Sequence, residues 1–202
     1  MFDTIEIDLK GLVCHSGGAE GSDTYFNQIG KEYGVRTIDY SYKTKYHKSD
    51  DKFEISDEDY NEGIAQINTA NKTLNRFGIH RYMNLLARNW AQVKYSDVIY
   101  AIGSIMKPGQ KTSKGYYNKS KFEVIDGGTG YAVQMGINNN KDIFVFDQNK
   151  GIWYRWSYTS LRFVEFDKDI KIFSNNFAGI GTREINDIGI DAIRQLYKNT
   201  FK

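Results

Sequence analysis

Glycine is gathered into a few short clusters in this chain, and each cluster lies where an apolar run meets a segment with helical spacing. The 202 residues include 19 glycines but a single proline. The clusters are at 16–23 (SGGAEGSD), 126–130 (DGGTG) and 177–184 (FAGIGTRE). An apolar run, a glycine turn and a helix in this order are typical of a strand-to-helix connection. The clusters therefore favour a fold in which strands alternate with helices.

The segments between the clusters complete this alternation. Residues 35–42 alternate as a strand does, 97–103 is an apolar run typical of a strand buried on both faces, and 143–146 is a further short strand. A capping residue at Ser56 and helical spacing predict two helices over 57–93. We therefore predict an α/β protein with a Rossmann-like, mostly parallel sheet and helices on both faces.

Two segments depart from this rhythm. Residues 152–156 and 161–164 are short strands joined by polar residues, which predicts a β-hairpin near residues 152–164. The segment 107–121 is rich in Lys and Gly and predicts an exposed, mobile loop. Because domains commonly hold roughly 100–200 residues, we expect one domain over residues 1–202.

Composition and charge argue against several classes of protein. The 27 Lys and Arg against 25 Asp and Glu leave a net charge of +2, which gives no field that would indicate nucleic acid or a membrane as partner. No run approaches the roughly 20 apolar residues of a membrane span, and the first residues lack a secretory signal. The single cysteine, Cys14, fits a reducing cytoplasm. The three histidines lack metal-binding spacing, so we expect no metal and no cofactor.

The glycine clusters also carry a chemical prediction. A helix N-terminus offers unpaired N–H groups and a partial positive charge, and glycine lets a phosphate approach the backbone closely. Ligands of parallel sheets collect beyond the carboxyl ends of the strands, where all three clusters are expected. The alternative is that each glycine only permits a tight turn, and for any one cluster the two interpretations weigh about evenly. Three clusters at equivalent positions favour a phosphate pocket.

Three motifs resemble signatures of the SLOG superfamily, a group of Rossmann-like proteins that includes the DprA, LOG and YspA-like families. Residues 16–23 resemble the SGGAxGAD signature, residues 178–184 resemble GxGSRE, and residues 126–130 resemble the PGGxGT turn of the LOG branch. In YspA-like chains the GxGSRE strand precedes SGGAxGAD, whereas here it follows. The resemblance therefore implies a circularly permuted chain in which the two motifs are still neighbours in space.

The resemblance implies a pocket for a nucleotide, in which Arg183 would bind a phosphate through a bidentate contact. Two alternatives stay open from the residues themselves. Asp23 either accepts from a ribose hydroxyl or caps its own helix, and Arg183 either binds a phosphate or pairs with Glu184 or Asp187. The residues placed at the ligand by the resemblance are Ser16, Gly17, Gly18, Ala19, Gly21, Asp23, Gly128, Thr129, Gly130, Gly181, Thr182 and Arg183.

Gln134 stands where the LOG enzymes carry their catalytic glutamate, and an amide cannot act as a carboxylate acid or base. The resemblance therefore implies a protein that senses or sequesters a nucleotide-derived small molecule, such as a cyclic nucleotide or an ADP-ribose-type signal, in phage anti-defense or bacterial immunity. The alternative is a nucleotide N-glycosidic hydrolase that uses Asp23, Glu20 or Glu184. The resemblance also implies a homo-oligomer that associates through helices.

Overall fold

A computed structural model describes residues 8–44, 47–112 and 115–202, and a central sheet of eight strands dominates it. A two-stranded sheet lies apart from the central one. The strands are β1 Val13–Ser16, β2 Arg36–Ser41, β3 Lys52–Glu54, β4 Val98–Gly103, β5 Ile105–Met106, β6 Val124–Ile125, β7 Asp142–Asp147, β8 Ile152–Ser157, β9 Arg162–Glu165 and β10 Asn176–Gly181. The helices are α1 Ser22–Glu32, α2 Asp57–Leu74, α3 Met83–Lys94, α4 Thr129–Asn138 and α5 Asp187–Thr200.

The central sheet has the strand order β3-β2-β1-β10-β4-β7-β8-β9. Every neighbouring pair from β3 to β7 is parallel, whereas β8 and β9 add to the edge in antiparallel pairs. The predicted α/β class with a mostly parallel sheet is confirmed. The predicted hairpin is confirmed as β8 and β9.

Helices cover both faces of the sheet. Helices α1 and α5 pack together on one face, and α2, α3 and α4 pack on the other. All six residues of β4 are buried, because Tyr100 and Ile102 contribute to the first face and Ile99 and Ala101 to the second. The side chain of Ser56 accepts from the N–H of Asp59 and caps α2, as its sequence predicts. None of the helices in the described ranges has an apolar stretch that could cross a membrane.

The third glycine cluster is part of a strand, which differs from the turn that its sequence suggests. Gly179 and Gly181 lie in β10, and α5 begins only at Asp187. A Cβ on Gly179 would lie 2.5 Å from the Phe26 ring of α1, and one on Gly181 would lie 2.5 Å from the Ser22 hydroxyl oxygen. These two glycines therefore serve the close packing of α1 on the sheet, a role that a short glycine motif does not distinguish from a turn.

The segment 107–121 also differs in part from its prediction. Lys107, Lys111, Lys119 and Lys121 are exposed, as expected, but Asn118 and Ser120 are buried. The Asn118 side-chain amide donates to the carbonyls of Met106 at 3.0 Å and Phe122 at 2.9 Å, so it joins the two ends of the segment. The segment is therefore a hydrogen-bonded excursion from the β5–β6 pair.

Two glycine-to-alanine substitutions should separate packing from backbone freedom. Gly179→Ala should lower the free energy of unfolding by about 1–3 kcal/mol, because the methyl group overlaps the Phe26 ring. Gly128→Ala is the matched control, since its Cβ would lie 3.7 Å from Leu86 and its backbone is already helical. Urea denaturation should show a change within about 0.5 kcal/mol for the control. Equal stabilities of the two variants would contradict the packing role of Gly179.

Candidate functional site

The direction in which successive strands are added to the sheet is opposite after β1 and after β4. From β1 it proceeds to β2 and β3 on one side, and from β4 it proceeds to β7 on the other, with β10 between β1 and β4. Helix α1 leaves β1 toward one face, whereas α4 lies on the opposite face. In open α/β sheets, a crevice forms at such a reversal beyond the carboxyl ends of the strands, and ligands bind there. The candidate site is therefore the crevice beyond β1, β10 and β4.

The first and third motifs touch in this crevice. The N–H and the hydroxyl of Ser22 both donate to the Thr182 carbonyl, at 3.1 and 2.8 Å. Gly21 has φ of 100°, and a Cβ there would lie 2.5 Å from the Arg183 Cα. Only glycine fits this position, because both the backbone conformation and the available space exclude a side chain. The predicted proximity of the two motifs is confirmed.

Helix α3 connects the first glycine turn with the second. The Arg88 guanidinium covers Gly17 so closely that its Nη1 occupies the place a Cβ would take, 1.1 Å away. Two residues earlier, Leu86 lies 3.7 Å from the Cβ position of Gly128. The two turns therefore border α3 from different sides, because residues two apart on a helix do not face each other. Arg88 forms part of the crevice at the first turn.

Arg88 is a site residue that the sequence reasoning missed. It lies one helical turn from Asn84 and one from Gln92, so the spacing resembles a polar, solvated stripe. Asn84 is indeed exposed, but Arg88 and Gln92 are buried against the sheet. The contact that buries Arg88 is made with a residue 65 positions away, and no local pattern encodes it.

Arg88 forms a buried ion pair with Asp23. Its Nη1 and Nη2 donate to the same carboxylate oxygen at 3.5 and 3.4 Å, and both side chains are less than a tenth exposed. Burial is the main cause that raises the pKa of Asp23, the Arg88 charge opposes it and Asp39 adds to it, and the balance leaves the pKa at about 6. The N-cap of α1 is Gly21, without a side-chain hydrogen bond. Asp23 therefore does not cap its own helix, which was one of its two predicted roles.

A second buried carboxylate, that of Asp39 on β2, forms a hydrogen bond with the first glycine turn. It accepts from the Gly18 N–H at 3.2 Å and from the Asn27 amide at 2.6 Å, and burial raises its pKa. Gly18 has φ of +56°, and the His47 ring lies 2.2 Å from its Cβ position. His47 Nε2 is buried and has no hydrogen-bond partner in the described part of the chain. The loop after β2 therefore covers the first turn.

The second glycine turn is fastened by Arg76. Its Nη1 donates to the Gly127 carbonyl and its Nη2 to the Ile125 carbonyl, both at 2.5 Å. A Cβ on Gly130 would lie 2.1 Å from the Ile125 oxygen and 2.9 Å from the Arg76 guanidinium, so glycine is required there. Thr129 is the buried first residue of α4, whose N-cap Gly128 makes no side-chain hydrogen bond. The N–H groups of Gly130 and Tyr131 donate to the Gly127 and Gly128 carbonyls at 3.2 and 3.0 Å, so the first turn of α4 is closed by its own backbone.

The remaining predicted residues lie in several different environments. Ser16 is fully buried and its hydroxyl donates to the Gly179 carbonyl at 2.7 Å, so that hydroxyl serves the sheet. Arg183 is exposed, and within residues 8–44, 47–112 and 115–202 its guanidinium has no ion pair, so the predicted pairing with Glu184 or Asp187 is not formed. The Gln134 amide donates to the Asn138 side chain at 2.9 Å. Ala19 lies in the first turn, and its backbone N–H bonds to Asp23.

Side chains fill the crevice itself. Depressions of about 450 and 390 Å³ lie elsewhere, beside α5, and the first is bordered by Glu32 and Arg194. In the part of the chain that the structure describes, no group of three or more His, Cys, Asp or Glu could hold a metal ion. Arg88 and His47 are therefore the groups that a ligand of the first turn would meet.

The fold and the crevice define a Rossmann-like α/β protein. No protein-family model, curated protein or solved structure matches the chain. The SLOG resemblance therefore stays a prediction that rests on its motif residues.

The buried carboxyl of Asp23 should make stability depend on pH. Because its pKa rises from 3.8 to about 6 on folding, its contribution is fully present below pH 3.8 and is lost as pH rises through about 6. Relative to Asp23→Asn, the wild type should lose up to about 3 kcal/mol of unfolding free energy over this range. Urea denaturation of both proteins from about pH 3 to 7.5 measures this difference, and a difference that does not vary with pH would contradict the buried site of Asp23.

Proposed function

We propose that the chain binds a nucleotide-derived small molecule in the crevice beyond β1, β10 and β4, and holds it without cleaving it. The observation that carries the proposal is that two helix N-termini without side-chain caps, those of α1 and α4, lie against α3, which supplies the buried Arg88 to the first of them. The helix dipole favours anions at such termini, and phosphates above all, although the Ser22 N–H of α1 already donates to the Thr182 carbonyl. Two such termini suit a ligand that carries phosphate on more than one side.

Arg88 is suited to a phosphate of this ligand. A guanidinium has five donors, and both hydrogen bonds that Arg88 makes go to a single oxygen of Asp23 at 3.4 and 3.5 Å. These distances are long for a charge-assisted bond, which is normally nearer 2.8 Å. A phosphate in the crevice would supply the shorter contacts, and Asp23 would keep the guanidinium oriented.

The loop after β2 would act as the cover of the site. His47 lies on Gly18, and the Lys48 N–H donates to the Gly18 carbonyl at 2.9 Å. A phosphate that reaches the Gly18 backbone has to displace the His47 ring and replace Asp39 as the acceptor of the Gly18 N–H. The buried Nε2 of His47, which has no hydrogen-bond partner among the described residues, would then bond to a phosphate oxygen.

Arg183 offers the cleanest test, because its side chain is exposed and its guanidinium forms no ion pair within the described residues. Arg183→Ala should weaken binding by about 1.5–3 kcal/mol, the range of a hydrogen bond to a charged group. Arg194→Ala is the matched control, since Arg194 is an exposed arginine on α5 that lies 3.7 Å from Glu32. Calorimetric titration with ADP-ribose, cyclic dinucleotides and nucleoside monophosphates measures both affinities. Equal affinities of the two variants for the best ligand would contradict a phosphate contact of Arg183.

One observation favours the hydrolase as the second candidate. Asp23 is a buried carboxyl with its pKa raised to about 6, and groups with such shifts are common among catalytic acids and bases. Its carboxylate is however engaged by Arg88 and by the Ala19 N–H. In this alternative Asp23 would take the part that the glutamate plays in the LOG enzymes.

The fate of the ligand distinguishes the two candidates. The wild type should release its ligand chemically unchanged after prolonged incubation, because loss of a general acid or base lowers the rate by about 10²–10⁴-fold. Chromatography of free base from the same ligands measures turnover by the wild type, by Gln134→Glu and by Asp23→Asn. Multiple turnovers by the wild type that Asp23→Asn abolishes would overturn the binder and establish the hydrolase.

A further inference from the structure

Positive charge is concentrated in the middle third of the chain. Residues 63–122 contain ten Lys and Arg and one acidic residue, Asp97, which gives a net charge of +9. The whole chain has a net charge of +2, so the rest of it carries −7. The near-neutral total, which argues against nucleic acid as a partner, therefore conceals a strongly asymmetric distribution.

The structure brings the exposed part of this charge together with exposed aromatic rings. The segments 76–82 and 107–122 meet where the Lys119 ammonium lies 5.2 Å from the centre of the Phe77 ring. Phe77 is 78% exposed and Tyr116 is 72% exposed. We call the described residues of these two segments, 76–82, 107–112 and 115–122, the basic-aromatic surface. Its exposed side chains are Phe77, Arg81, Tyr82, Lys107, Lys111, Tyr116, Tyr117, Lys119, Lys121 and Phe122.

The backbone of this surface is held by hydrogen bonds. Asn118 ties Met106 to Phe122, and the Asn118 N–H donates to the Gln110 carbonyl at 2.9 Å. Lys111 and Tyr117 form an antiparallel bridge, with the ammonium 5.4 Å from the ring centre. A held backbone displays lysines and rings at small entropic cost, which suits the binding of an extended partner.

The charges of this surface are free of acidic partners. Within the described ranges, none of Lys107, Lys111, Lys119, Lys121 and Arg81 forms an ion pair with an Asp or Glu, whereas Lys94, in the same stretch of sequence, binds both Asp59 and Glu62. The lysines of the basic-aromatic surface are available to an external anion.

We propose that the basic-aromatic surface binds single-stranded nucleic acid. Unpaired lysines track a phosphate backbone, and exposed aromatic rings stack on unpaired bases; together they are the features of a surface that binds single strands without sequence preference. A duplex keeps its bases stacked on one another and offers nothing to Phe77 and Tyr116, and an acidic protein would use the lysines alone. This function is separate from the crevice, and it requires no ligand there.

Fluorescence anisotropy with labelled 12-nucleotide oligo-dT and oligo-U, and with a 12-base-pair duplex, tests the proposal. Single strands should bind with an affinity that falls as salt rises from 50 to 300 mM. Lys119→Ala and Lys121→Ala should each reduce the slope of log affinity against log salt by about 0.7, the value for one phosphate contact of a single strand. Phe77→Ala and Tyr116→Ala should weaken binding about fivefold or more and leave that slope unchanged.

Matched controls are available on other faces of the protein. Lys168→Ala and Lys198→Ala remove exposed lysines outside both segments and should change neither affinity nor slope. Arg183→Ala should bind the oligonucleotides as the wild type does, so failure of the crevice proposal leaves this one standing. Absence of saturable binding at 50 mM salt would overturn the proposal. Duplex binding as tight as single-strand binding, with silent aromatic variants, would also overturn it.

Discussion

The architecture depends on the fit of β10 between β1 and β4. This strand pairs in parallel with both neighbours and joins the β1–β3 part of the sheet to the part that begins with β4. This pairing requires α1 to lie very close to the sheet. Phe26 and Ser22 of α1 occupy the space that side chains at 179 and 181 would take. Because β10 carries the Thr182–Arg183 segment at its end, the same fit positions one wall of the crevice.

Buried charged groups of both signs lie inside the crevice. Two carboxyls, Asp23 and Asp39, are each penalised by burial, and each raises the free energy of the other's ionised form. Arg88 offsets this cost for Asp23, and the Asn27 amide and Gly18 N–H offset it for Asp39. Buried charges of this kind give little net stability and are commonly retained for specificity or function. The crevice is therefore a place where the chain gives up stability that an apolar core would provide.

The sequence predicts the alternation of strands and helices well, because the positions of the glycines and the spacing of the apolar residues are local signals. The strand at 97–103, the hairpin after 152 and the cap at Ser56 follow from such signals. Arg88 could not be predicted, since its burial depends on a carboxylate 65 residues away. The glycines of β10 were misread as a turn because close packing and backbone freedom both select glycine. The inward side chain of Asn118 escaped notice for a related reason, as a hydrogen-bonded asparagine and a solvated one have the same sequence.

Arg76 connects the two surfaces that the proposals concern. It precedes Phe77 in the basic-aromatic surface, and its guanidinium binds the Gly127 and Ile125 carbonyls beneath the N-terminus of α4. A strand of nucleic acid that draws Arg76 outward would loosen the second glycine turn, and a ligand that tightens this turn would hold Arg76 back. Thermodynamic linkage makes such an effect reciprocal. If one ligand changes the affinity for the other by some factor, the second ligand changes the affinity for the first by the same factor. A single guanidinium thus joins the segment that begins the basic-aromatic surface to the turn that opens α4.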